Sequence, residues 1–305
     1  MRRVRAGAPA VGIAAWLIGC GGSTPMTPTP PSQQPPPNNP PVIDSITVQG
    51  TRANEPSGFA DVGESVQVAA KVHDDETPLD QLDYQWSAPT GTFTGSGASV
   101  VWQAPASATT PADVAITLKV VEKYGFPGVP PAFSYEVIAT ATVSLHDSVK
   151  EVGDMARQFL LDFSDSNITD VPSIMRNFDP SCTGTADETS QVSDNRRKFR
   201  IVRWNIGQPT VKIPFGNSFC AIPGRTQRGD ACSATSVHWE SNVLADGHFQ
   251  IADGTDWIAA YYRPVLRAWK LCDSQFTGTC TDVTTGAPCL PSQAAAMVAG
   301  SWREQ

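Results

Sequence analysis

The chain is short of charge and of the signatures that chemistry leaves in a sequence. Charged residues make up 17% of its 305 residues, and 22 basic side chains face 30 acidic ones. Phosphate binding needs clustered Lys and Arg, so this balance argues against a nucleic-acid partner. There is no HExxH, no GxSxG, no P-loop and no GxGxxG opening a helix. The common metalloprotease, nucleophile-elbow and nucleotide motifs are therefore missing. No apolar run reaches the roughly 20 residues that a membrane-spanning helix takes. Cysteine is absent from 21 to 181 and no CxxC pair occurs, which removes the usual zinc spacing. The residues thus suggest no cofactor and no metal site. At 40% hydrophobic the chain is too apolar to be wholly disordered, and its length predicts about two domains.

What is present begins with an address. Arg2, Arg3 and Arg5 precede a short apolar stretch from Ala8 to Gly19, the layout of a secretory signal peptide over 1–19. Leu17-Ile18-Gly19-Cys20 resembles the lipobox of bacterial lipoproteins. The resemblance implies cleavage before Cys20, diacylglycerol on its thiol and an acylated new amino terminus, with a lipid bilayer as partner. Gly21, where Asp would imply retention at the inner membrane, implies the outer membrane. Losing three Arg with the signal takes the net charge from −8 to −11. Residues 20–40 then read as the lipidated Cys and a tether. Eight of the twenty residues from 21 to 40 are Pro, and an extended Pro-rich chain of that length reaches roughly 60 Å.

From 41 to 147 the pattern is that of short strands. Val66, Val68, Ala70 and Val72 alternate with Ser65, Gln67, Ala69 and Lys71, and similar runs recur between Gly- and Pro-rich turns. Six or seven strands in this span predict an all-β sandwich. Tyr84-Gln85-Trp86-Ser87, Gly91-Thr92-Phe93 and Val101-Trp102-Gln103-Ala104-Pro105 resemble the PKD-like and Ig-like modules of bacterial surface proteins. Trp86 is the expected core aromatic. Asp74-Asp75-Glu76 reads as a solvated turn.

The composition changes after His146. Six cysteines follow, Cys182, Cys220, Cys232, Cys272, Cys280 and Cys289, and export makes disulfides the default. Loop length favours Cys220–Cys232 and Cys280–Cys289, leaving Cys182–Cys272. Val149, Val152, Met155, Ala156, Phe159, Leu160 and Phe163 predict an amphipathic helix, and Val171-Pro172-Ser173 a short second one. Strands follow, with Asp246-Gly247 and Asp253-Gly254 read as two hairpin turns. Residues 148–305 are thus expected to form a Cys-rich α+β domain. Its ending, Arg267-Ala268-Trp269-Lys270-Leu271-Cys272, resembles NTF2-like domains, which implies a cone around an apolar pocket. Trp204, Trp239, Trp257 and Tyr261 are the candidates for such a pocket's wall. His238 beside Glu240 is the candidate acid–base pair, with Asp187, Glu188 and Asp273 as further acids. Arg196, Arg197, Lys198, Arg200 and Arg203 make a basic cluster expected to pair with local acids such as Glu188 and Asp194.

Together these features predict a membrane-anchored lipoprotein of the surface or periplasm. Its expected role in the envelope is non-catalytic, binding or structural, with an envelope protein or glycan as partner. The alternative is an NTF2-like enzyme or small-ligand-binding domain presented on an Ig-like stalk.

Overall fold

The computed structural model describes residues 37–126, 128–215, 222–224 and 229–289. The expected signal peptide, Cys20, most of the expected tether and Cys220 lie outside the described residues. Eight strands come first: β1 (Val42–Gln49), β2 (Phe59–Asp61), β3 (Ser65–His73), β4 (Asp83–Ser87), β5 (Thr92–Ser96), β6 (Ser99–Gln103), β7 (Ala112–Tyr124) and β8 (Phe133–His146). They form two four-stranded sheets, ordered β1-β3-β6-β5 and β2-β8-β7-β4. Every pairing is antiparallel except β2 with β8.

Period-two alternation turns one face of each sheet inward. Val66, Val68, Val100 and Trp102 of one sheet meet Val114, Ile116, Val143 and Leu145 of the other in a single apolar cluster. The central aromatic is Trp102, fully buried, and not Trp86, which is only partly buried and stacks on Phe93. Gly91 explains the difference. Its φ is +77°, and a Cβ there would stand 2.4 Å from Trp102 Nε1. The turn therefore closes over the Trp102 indole, whose N–H donates to the Thr90 carbonyl at 3.1 Å. The Asp74 carboxylate accepts from the backbone N–H groups of Glu76 and Thr77 and so closes its own turn.

The second half carries α1 (Ser148–Ser164), α2 (Val171–Ile174), α3 (Thr183–Lys198), β9 (Phe199–Ile206), β10 (Thr210–Lys212), β11 (Ala231–Val243), β12 (Phe249–Arg263), β13 (Ala268–Asp282) and β14 (Ala287–Pro288). The strands make one antiparallel sheet, β10-β11-β12-β13-β14, with β9 alongside β10 on the β11 edge. Asp147 caps α1 by accepting from Lys150 N–H, and Asp170 caps α2 through Ser173 N–H. Val152, Ala156, Phe159 and Leu160 of α1 pack onto Trp239, Ile258, Leu271 and Phe276 of the sheet. Cys182–Cys272 and Cys280–Cys289 are disulfides with Cα–Cα distances of 5.5 and 5.4 Å, and Cys232 is also disulfide-bonded.

Two expectations change here. Asp253-Gly254 is not a turn, because β12 runs unbroken through it. Gly254 pairs with Gly278, and a Cβ on either would fall within 2.8 Å of the Phe276 ring or the neighbouring backbone. These glycines let a ring lie across the strands rather than let the chain reverse. The segment 183–198, for which the sequence pattern predicts no element, is the helix α3. Val192 is the one large apolar side chain among its buried residues, so no apolar stripe marks it.

The two halves share a core, and residues from Pro37 onward cluster as one compact unit. Phe59 of β2 packs edge-on against Phe215, Tyr262 and Trp269, and stacks on His146. His146 is buried between Glu151 (2.8 Å) and Ser144 (2.9 Å). Ser148 donates to Asp61 and accepts from the Trp269 indole N–H at 3.0 Å. Arg267 reaches Asp113 at 2.7 Å. The passage from β8 to α1 is thus a packed joint.

Candidate functional site

The residues offered by the sequence separate by sheet face. Along β11 the odd positions from Ser233 to Val243 turn inward toward the helices, and along β12 the even positions from Gln250 to Tyr262 do so. Trp239 lies on this inner face, buried, with its indole N–H donating to Ser164 at 2.8 Å. Trp257 and Tyr261 lie on the opposite face. The Trp257 N–H donates to Thr277 at 2.9 Å, and Tyr261 sits under the Arg263 guanidinium. Trp204 stands on the edge strand β9, 38% exposed. One of the four candidate wall residues, Trp239, therefore reaches an interior pocket.

That pocket lies between α1, α3 and the sheet. Its apolar part is Phe159, Leu160 and Phe163 from α1, Trp239 from β11 and Phe276 from β13. The Phe163 and Phe276 rings lie 5.5 and 5.3 Å from Trp239. Its polar groups come from α3 and the sheet, namely Glu188, Gln191, Asn195, Asp256 and Ser274. A second pocket shares Phe163, Asn195 and Trp239, and adds Arg196, Phe199 and Ile201.

Asp256 is the unusual group. It occupies an inward position of β12, in phase with Ala252, Ile258 and Ala260, and is 4% exposed. Thr235 faces it across β11 and Phe276 across β13. Its Oδ1 has no hydrogen-bond partner among the described residues. Burial pushes its carboxyl well above the ordinary carboxylate range, and the negative charge of Glu188 adds to the shift. The shift favours the protonated acid, whose O–H can donate one hydrogen bond into the pocket.

Glu188 explains why α3 escaped detection. The helix buries Gly184, Thr185, Glu188 and Val192, a face that is mostly polar because it covers a polar cavity. Glu188 lines the cavity, and the basic cluster has other partners. Arg197 and Lys198 pair with Asp194, Arg203 pairs with Glu240, and Arg196 donates to the carbonyls of Phe163, Asp165 and Ile168. Asp187 is exposed. Asp273 is buried where α3 begins, and a Cβ on Gly184 would meet its Cγ at 2.8 Å.

His238 and Glu240 are neighbours as expected, but on the outer face. His238 lies 2.7 Å from Asp253 and 3.4 Å from Glu240. The hydrogen bond to Asp253 raises its pKa, Glu240 adds to the rise, and burial opposes both. This row belongs to the solvated side of the sheet, apart from the cavity. Asp256 itself carries a signal in the sequence: an acid in phase with an apolar inward face. Taking the bulky Trp257 and Tyr261 as pocket-wall residues hid it.

Comparison with protein-family models, curated proteins and solved structures finds no match for this chain.

Proposed function

We propose that this chain is a bacterial envelope lipoprotein whose second half binds a small ligand. In this reading Cys20 is acylated and held in the outer membrane. The Pro-rich residues that follow are a tether, the first half is an Ig-like module and the second an NTF2-like cone. The lipobox residues and the charged segment before them support the anchor. Two four-stranded sheets with a common core support the Ig-like module. Helices preceding one antiparallel sheet, with a cavity between them, support the cone.

The observation that carries the binding role is the pocket itself: an aromatic wall with Asp256 buried inside it. Small-ligand sites combine such apolar walls with a few convergent polar groups. Binding is favoured over turnover because the His238–Glu240 pair lies outside the cavity. A catalytic reading draws on one observation, the raised pKa of Asp256 in a cleft, which would make it a proton donor. The partly exposed outer face of the sheets is the place for an envelope protein or glycan partner.

The test takes two measurements on the mature protein. Intact mass should show cleavage before Cys20 together with acyl chains. Calorimetric titration with small aromatic probes should show saturable binding that is lost on Ser274→Leu, a substitution aimed into the cavity. An unacylated mature chain would refute the anchor. Binding unaffected by Ser274→Leu, or absent altogether, would refute the pocket.

A further inference from the structure

We infer that the pocket selects a small organic cation, an ammonium group on a short aromatic or apolar body, held at the carboxyl groups of Asp256 and Glu188. The inference rests on the small-ligand reading above and adds the charge of the ligand.

Three observations carry it. First, the two acids that line the cavity come from opposite walls, Glu188 from α3 and Asp256 from β12, so a group between them meets both. Second, Asp256 is 4% exposed and its Oδ1 has no hydrogen-bond partner among the described residues. A buried acceptor without a donor is costly, and a ligand N–H supplies that donor. Third, no Lys, Arg or His is among the described residues lining the cavity. Arg196, in the adjoining pocket, is committed to three backbone carbonyls. An anion would meet the charge of Glu188 with no cationic side chain to offset it. A cation would find two carboxyls, and its body the faces and edges of Trp239, Phe163 and Phe276, with aromatic faces adding to the attraction.

The charge balance follows from the surroundings of Asp256. Glu188 on α3 is the charged group acting on it, whereas β11, β13 and α1 contribute uncharged Thr235, Ser274, Phe276 and Phe159. Burial and, after it, the charge of Glu188 both favour the protonated carboxyl of Asp256. An arriving ammonium takes the place of that proton. The carboxyl O–H gives its proton to the solvent, the carboxylate accepts from the ligand N–H, and the net charge of the cavity does not change. Cation affinity must therefore rise with pH, whereas a neutral ligand of the same shape feels no such gain.

The experiment is calorimetry on the full chain in detergent, with benzylammonium against benzyl alcohol as its neutral counterpart. Two buffers of different ionisation enthalpy count the protons released. The expected result is that benzylammonium binds at least tenfold tighter at pH 7.5. It should release protons on binding and tighten as pH rises toward the raised pKa of the Asp256 carboxyl. Asp256→Asn should abolish the proton release and remove most of the preference, while benzyl alcohol binding survives. Glu188→Gln should lower the preference without abolishing proton release. Equal or tighter binding of benzyl alcohol, with no proton released, would overturn cation selection and leave the small-ligand pocket standing. If neither probe binds to a chain with native near-ultraviolet circular dichroism, the pocket reading falls and this inference with it.

Discussion

Asp256 makes a quantitative statement about stability that needs no ligand. Its carboxyl is fully buried, and both causes of its shift raise the folded-state pKa above the unfolded value of about 3.9. Between those two values the folded chain binds a proton that the unfolded chain has released. Stability must then fall as pH rises, by up to about 1.4 kcal/mol per pH unit, until the folded-state pKa is passed. Asn is close in shape to the protonated acid and does not ionise. Asp256→Asn should match the native chain near pH 4 and exceed it increasingly at higher pH. With a urea dependence near 3 kcal/mol/M for a unit of this size, the midpoints should separate by about 0.5 M per pH unit. The assay is urea unfolding at half-unit steps from pH 4 to 8, followed by Trp fluorescence. Parallel curves for the two proteins would refute the argument, because they would mean that Asp256 ionises in the folded state as it does in water. A variant less stable at every pH would refute it too, since Asp256 would then be accepting hydrogen bonds as a carboxylate.

Three further outcomes follow from the packing. Replacing both Cys182 and Cys272 by Ala should lower stability by about 4.6 kcal/mol, the chain-entropy value for a separation of 90 residues; a loss under 1 kcal/mol by chemical unfolding would contradict it. Gly184→Ala gains about 1 kcal/mol of helix propensity, but its Cβ would stand 2.8 Å from the Cys272 carbonyl oxygen and from Asp273 Cγ. Overpacking of this kind typically costs 1–3 kcal/mol, so the melting temperature should drop rather than rise. Phe59→Ala should cost about 3–5 kcal/mol, and both halves should still melt together, because Phe59 packs on the second half's rings from a strand of the first. Two separated transitions in the native chain would show that the joint does not couple the halves.

The legible parts of this sequence were those where an apolar pattern repeats. Val66, Val68 and Val72 announce β3 by period two, and Val152, Ala156, Phe159 and Leu160 announce α1 by spacings of three and four. The misread parts share one cause. An aromatic side chain is large whichever way it points, so size alone could not tell Trp102 from Trp86 or Trp239 from Trp257. What decides is phase, and phase along β12 is visible only once Gly254 is known to lie within the strand. The Asp-Gly pair looked like a turn because the same residue that permits reversal also permits close packing. Reading it as a turn cut the strand in two, started the second piece at Asp256 and let Trp257 and Tyr261 stand as its buried face. Restored to one strand, β12 places Asp256 in line with Ala252 and Ile258.

The same reasoning separates the pocket from an imperfect core. A packed interior between α1 and this sheet would be best served by apolar residues at every inward position. Instead the inner face of β11 and β12 carries Ser233, Thr235, Ser241, Gln250 and Asp256, each buried. Buried polar groups stabilise little even when paired and cost free energy when they are not. A fold does not need them, and the helix laid across them, α3, brings Glu188 rather than a Leu or Val. Stability alone therefore does not account for the composition of this surface. The buried polar positions lie on facing elements, α3 and the adjacent strands β11 and β12, and Glu188 and Asp256 among them line one cavity beside Trp239. Two buried acids that lower stability and line one space are the pattern of a binding site. Filling that space with Asp256→Leu and Glu188→Leu together should raise stability above that of the native chain and abolish binding. A double variant that is both stabler and still binds would refute the trade-off.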